Sequence, residues 1–180
     1  AVDLDYGIDL MNYKFEHAWY PPDVSRSIKL LKIHGSLNWL YCPICKKVEI
    51  TPKEKGVTQL LDRNNSRKRC RLCDGRYSPI LIPPTYFKVM SNPYLIQIWN
   101  HAEDLLRECE EIVFCGYSMP DADIHVKYLI KRGLVNRGIA QPRIVIVNNY
   151  KNKPQELIDE EKERYNRLFC INIDYTDLSF

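Results

Sequence analysis

The sequence predicts an α/β fold, a parallel sheet flanked by helices with a four-cysteine module inserted into it. Three observations predict it. Short apolar runs rich in β-branched residues, at 28–33, 112–115 and 144–147, alternate with longer stretches of helical period. Two C-x-x-C pairs, Cys42/Cys45 and Cys70/Cys73, interrupt that alternation at one place. The strand ends carry polar or glycine residues (His34–Gly35, Gly116–Ser118, Asn148–Asn149), and ligands bind open parallel sheets outside the carboxyl ends of their strands.

Residues 1–27 are rich in Asp and Tyr, end in Pro21 and Pro22, and read as mostly irregular with a short strand or turn near 5–10. The strand at 28–33, broken only by lysines, delivers His34 and Gly35 to its end. Residues 42–77 form the metal module, with a short antiparallel strand at 47–51, two knuckles and a polar, basic tip at 62–69. Ile80–Ile82 is a further strand, and Pro83 and Pro84 close the return path. Asn92 and Pro93 cap a helix marked by Tyr94, Ile98, Ala102, Leu105 and Leu106.

After the strand at 112–115, Ser118 and Asp121 have the spacing of a capping box, and Ile124, Tyr128, Leu129 and Leu134 continue as a helix. The strand at 144–147 leads to Asn148; a charged helix at 154–168 and a last strand at 170–174 complete the chain. The module divides the chain into 1–41 with 78–180, the α/β part, and 42–77, the ribbon.

Composition is that of an ordinary globular domain of 180 residues: 45% hydrophobic, 27% charged, 11% aromatic, formal charge +3. No apolar run is long enough to cross a bilayer and no signal or transit segment opens the chain, so no membrane partner is expected. Of seven cysteines, four fall in the C-x-x-C pairs. Thiolates two residues apart on tight turns share one tetrahedral ion, and a closed four-sulfur shell makes the expected Zn2+ structural rather than catalytic. Cys109, Cys115 and Cys170 sit in apolar patterns and read as buried thiols. Reduced cysteines point to the cytoplasm.

His34 reads either as a packed, hydrogen-bonded histidine or as a general base, with Gly35 letting a ligand come close to the backbone. The turn Gly116–Tyr117–Ser118 is either a plain capped turn or a helix N-terminus offering N–H groups to ribose or phosphate. Asp121 and Asp123 favour a ribose hydroxyl there over a pyrophosphate, and helical spacing argues against a metal site built from Asp121, Asp123 and His125. Asn148 is a turn residue or a ribose ligand. Arg67, Lys68, Arg69 and Arg71 are a solvated tip or a contact for nucleic acid. No G-x-G-x-x-G or P-loop pattern occurs.

In order and wording, IHGSLNWLYCPIC, ILIPPTYFK and IVFCGYSMPDADIHVKYLIKR, followed by a strand ending in Asn148, resemble the sirtuins, and within them the sirtuin-like domains of microbial defence proteins. The resemblance covers Ser27 to Asn149 and implies a partial Rossmann-like sheet, NAD as substrate, and cytoplasmic antiviral defence by NAD depletion. It implies His34 as the base toward the nicotinamide ribose. Gly116 and Ser118 would lie in the turn that binds ribose and phosphate, Asn148 near the adenosine ribose, and the four cysteines at structural zinc. The family's glycine-rich turn would lie before Ala1, so the chain is expected to be the C-terminal two-thirds of the domain and inactive alone. Where deacylating sirtuins carry a phenylalanine–glycine–glutamate segment, this chain has Ile82-Pro83-Pro84-Thr85-Tyr86, which favours water over acyl-lysine as acceptor. The alternatives are a nucleic-acid or protein-binding zinc ribbon, and an idle scaffold whose free sheet edge pairs in a homo-oligomer or within a larger multidomain protein.

Overall fold

The computed structural model describes residues 3–12, 23, 25–51, 69–82 and 91–177. In chain order the elements are β1 (Asp3–Asp5), β2 (Met11–Asn12), β3 (Ser27–Lys29), β4 (Gly35–Tyr41), β5 (Val48–Ile50), β6 (Ser78–Leu81), α1 (Pro93–Glu108), β7 (Glu111–Cys115), α2 (Ile124–Val135), β8 (Arg143–Asn148), α3 (Gln155–Leu168) and β9 (Ile173–Asp177). They fall into two compact units, one of residues up to 82 with 91–101 and the other of residues 102–177.

In the first unit β4 is central to a sheet of order β2-β5-β4-β6, antiparallel to β5 and β6 on its two sides. Alternation along β4 serves two cores at once, because successive side chains point to opposite faces. Trp39 and Tyr41 pack with Ile8, Leu10, Val48, Ile80 and the α1 residues Leu95 and Ile98, whereas Leu40 joins Cys42, Cys70 and Tyr77. Trp39, Leu40, Ile80 and Ile98 are almost fully buried, each worth roughly 1.5–3 kcal/mol of transfer free energy. The metal module thus shares its sheet with the strand that follows His34.

One sequence expectation changes here. The strand predicted at 28–33 is confined to β3, which pairs in parallel with β1. Leu30 N bonds back to Asp5 O (2.8 Å), and a turn closed by Gly35 N to Lys32 O (2.8 Å) follows. The short strand or turn expected near 5–10 is a turn after β1, where Gly7 takes φ +72° and its N–H donates to Asp5 Oδ1 (2.8 Å).

The second unit is a parallel sheet of order β7-β8-β9, with α2 and α3 supplying the crossovers that parallel neighbours require. Ile144 and Ile146 in the middle strand are buried, and Phe114 of β7 meets Tyr165 and Phe169 at 5.4 and 5.6 Å between ring centres. Gly133 of α2 is required by α1, since a Cβ there would stand 2.6 Å from Leu106 Cβ.

The capping box does not form. Asp123 is the N-cap residue, α2 starts at Ile124, and Asp121 instead pairs with Lys127 at 2.8 Å. Met119 at φ +52° turns the chain before the helix. The last strand is shifted from 170–174 to β9, because register on β8 (Ile144↔Ile173, Ile146↔Tyr175) and the Tyr175 hydroxyl bond to Lys162 O set its position. Cys115 and Cys170 are exposed and Cys109 half-buried, against the expectation of buried thiols. Cys115 ends a strand paired on one side only among the described residues, and Cys170 lies in the connection before β9.

Candidate functional sites

The two C-x-x-C segments fold into the same turn. Lys46 N bonds to Cys42 O (2.9 Å) with Lys46 at φ +61°, and Asp74 N bonds to Cys70 O (2.8 Å) with Asp74 at φ +56°. Cys42 N and Cys70 N then bond outward to Lys47 O and Gly75 O. Facing one another, the turns bring Cys42 Sγ to 3.5 Å from Cys73 Sγ and Cys45 Sγ to 3.5 Å from Cys70 Sγ, with all four sulfurs within 4.8 Å of one another. A tetrahedral zinc with Zn–S bonds of about 2.3 Å sets sulfurs about 3.8 Å apart. The cluster fits that ion, and Gly75 is shaped for it, since a Cβ there would stand 3.1 and 3.3 Å from two of the sulfurs. Among the described residues no other group of His, Cys, Asp and Glu is arranged to hold a metal; Asp121, Asp123 and His125 are not.

The cysteines differ in acidity within this shell. Burial opposes charge on Cys42, but the backbone N–H groups of Cys45 and Ile44 bring its thiol down to about 7. Burial and the Cys70 sulfur push Cys45 up to about 12. Of the basic tip, Arg67 and Lys68 lie outside the described residues. Arg69 pairs with Asp74 (3.3 Å), and Arg71 lies 3.9 Å from the buried Glu49, which also accepts from the Tyr77 hydroxyl. Those two arginines are tied to the module's own carboxylates.

His34 sits in the turn ahead of β4 rather than at a strand's carboxyl end, and is half-buried. Its backbone is held on both sides, by Ile82 N to His34 O (2.9 Å) and by Trp99 Nε1 to Ile33 O (2.6 Å). Gly35 has φ +78°, and a Cβ would stand 2.0 Å from Ile80 O, so close approach of β6 is what demands glycine there. Trp99 has no signal in local spacing; only the rule that a sheltered indole N–H seeks an acceptor could have flagged it.

In the second unit the structure brings Gly116, Tyr117, Ser118 and Asn148 together. Gly116 follows β7, bonds to Val147 O (2.9 Å), adopts φ +65°, and has nothing within 4 Å of where a Cβ would be. Asn148, 3% exposed, ends β8 and donates to Tyr117 O (3.2 Å) and to the buried Glu161. Tyr165 donates to the same Tyr117 carbonyl, and Arg164 Nε to Ser118 O (3.1 Å). Asn148 therefore shapes the turn from beneath. The Tyr117 hydroxyl donates to Asp123 (2.9 Å), and burial with this carboxylate raises its pKa. Burial and Glu161 push Tyr150 up to about 12. Glu161, inside a charged helix, carries one sequence signal: it precedes Tyr165 by a helical turn on the same face.

Asp121 is exposed and held below the usual carboxylate range by Lys127. Among the described residues no helix is long and apolar enough to cross a membrane.

Compared by sequence, the chain matches no family model and no curated protein. Solved sirtuin structures are similar to it. One, on the structural basis of sirtuin substrate affinity, aligns with TM-score 0.41 and 16% identity over 78% of this chain and 55% of its own. Another, Sir2 in complex with the inhibitor EX-527, 2′-O-acetyl-ADP-ribose and a deacetylated p53 peptide, aligns with TM-score 0.35 and 16% identity over 79% of this chain and 56% of its own. The chain spans little more than half the length of each.

Proposed function

We propose that the chain carries the machinery for cleaving the nicotinamide–ribose bond of NAD, with water rather than an acyl-lysine as acceptor. The observation that carries this reading is the Gly116 turn. A left-handed glycine with open space on its Cβ side stands at the carboxyl end of β7, beside the end of β8, where parallel sheets take their ligands. Ribose or phosphate can meet backbone there without a side chain between them. The exposed Ser118 adds a hydroxyl, while Asn148 and Glu161 keep the turn in shape.

His34 is the proposed base. It takes a proton from a ribose hydroxyl while the bond from C1′ to the nicotinamide nitrogen breaks, which offsets oxocarbenium charge at C1′. Water then adds at C1′, giving nicotinamide, ADP-ribose and one proton. The four cysteines leave no open position on a bound metal, so zinc would hold the fold and take no part in this step. Antiviral defence is the setting that the sequence resemblance implies for such chemistry, and the unpaired cysteines suit a reducing cytoplasm.

The test is nicotinamide release from NAD by the chain and by a version extended at its N-terminus, each compared with its His34→Ala variant. Release by the extended protein, lost in His34→Ala at a nearly unchanged melting temperature, is the expected result; turnover retained by His34→Ala overturns the assignment.

A further inference from the structure

A cleft of about 320 Å³ opens between α2 and α3, its lining running from Asp121 to Leu168 and touching the Ser118 carbonyl through Arg164. Its apolar side chains are Ile124, Tyr128 and Leu168, of which Ile124 is 53% and Tyr128 61% exposed. Four cations border them: Lys127 and Lys131 from α2, Arg164 and Arg167 from α3. The single carboxylate in the lining, Asp121, is engaged by Lys127 at 2.8 Å. Arg164 is spent on Ser118 O (3.1 Å) and Glu160 (3.8 Å). Lys131 and Arg167 are both exposed; Arg167 lies in the field of Asp121 without a close ion pair, and Lys131 is set further along α2. Apolar side chains gathered inside a polar, cationic rim have the composition of an interaction site.

The composition of the cleft selects the occupant. A free phosphate would leave the three apolar side chains unused. A nucleic-acid strand takes a series of aromatic platforms. Here there is one, and Arg132 already stands 5.7 Å from the centre of its ring. An acidic peptide with an apolar anchor uses both parts, the anchor between the helices and its carboxylates on the exposed cations. We propose that the α2–α3 cleft binds an acidic peptide segment, anchored by an apolar side chain on Ile124, Tyr128 and Leu168 and held by Lys131 and Arg167. The cleft adjoins the turn of the NAD reading through Asp121 and Arg164, but the proposal does not rest on that reading.

Fluorescence anisotropy tests it on the full chain with three labelled probes of equal charge: a peptide alternating Glu with Leu and Phe, the same peptide with Ser in place of Leu and Phe, and oligothymidylate. The expected result is saturable binding of the first, weakened by added salt, with the second at least about tenfold weaker. Lys131→Glu with Arg167→Glu, both at exposed positions, should weaken the first about tenfold or more without moving the melting temperature, and Tyr128→Ala should weaken it as well. No binding of the first peptide, equal binding of the serine peptide, binding indifferent to the charge reversals, or tighter binding of oligothymidylate lost in the same variants would each overturn the proposal.

Discussion

Replacing Cys42 by Ser tests how far the first unit depends on its metal. Cys42 is fully buried and contributes one of four sulfurs that lie within 4.8 Å of one another. Around them Leu40 (0% exposed), Cys70 (3%) and Tyr77 (8%) form a small core with little other apolar cover. Structural zinc in small modules binds with roughly 10–16 kcal/mol, comparable to or above the roughly 5–15 kcal/mol that holds a whole domain folded. A three-ligand shell loses most of that, and opening the module exposes Leu40 and Tyr77, together roughly 3–6 kcal/mol of burial. Cys42→Ser should therefore lose its zinc and at least about 3 kcal/mol of stability. Zinc content by mass spectrometry and urea denaturation read the two effects. Cys109→Ser is the control, because that thiol lies outside the cluster and donates to Leu106 O, a bond serine retains. A wild-type protein purified without zinc from zinc-replete medium, or a Cys42→Ser that unfolds at the wild-type urea concentration, would refute the reasoning.

The two left-handed glycines should respond differently to alanine. Gly35→Ala places a Cβ 2.0 Å from Ile80 O and should cost at least about 3 kcal/mol, whereas Gly116→Ala meets open space and should cost only the about 1–2 kcal/mol of its φ; equal thermal shifts would contradict this. Glu161→Ala removes the acceptor shared by the Asn148 amide and the Tyr150 hydroxyl, leaving the amide only Tyr117 O, and should cost about 2–3 kcal/mol in urea denaturation, a change below about 0.5 kcal/mol counting against the network. Tyr117, Tyr150 and Tyr165 all have pKa values raised first by burial, Tyr150 to about 12, above the roughly 10 of an unfolded tyrosine. Above pH about 10 the unfolded chain releases phenolic protons that the folded chain keeps, so stability is lost as pH climbs from about 10 towards 12. Phenolate absorbance should rise together with the loss of helical circular dichroism; an early phenolate rise in an intact fold would refute it.

How much of this was legible in the sequence follows from the range of the interactions. The helices at 93–108, 124–135 and 155–168 and the strands at 111–115 and 143–148 fall within a few residues of their predicted bounds, because helical period and β-branched runs are local signals. The metal cluster was equally readable, since C-x-x-C spacing alone sets two sulfurs on one turn, and two like turns close a shell. Other features depend on partners far along the chain. The histidine turn is decided by bonds from Ile82 and Trp99, and the need for glycine at 35 by the Ile80 carbonyl. The capping box lost to an ion pair of Asp121 with Lys127, and the last strand was moved by its register on β8. Asn148 reads as a turn residue or a ribose ligand on its position, and its amide bonds to Tyr117 O and Glu161 are partners that no local spacing announces. Composition and spacing determined which elements form and that a four-sulfur site exists. Tertiary structure decided which partners the polar groups at the strand ends take, because a buried donor or acceptor satisfies whatever partner the fold brings to it.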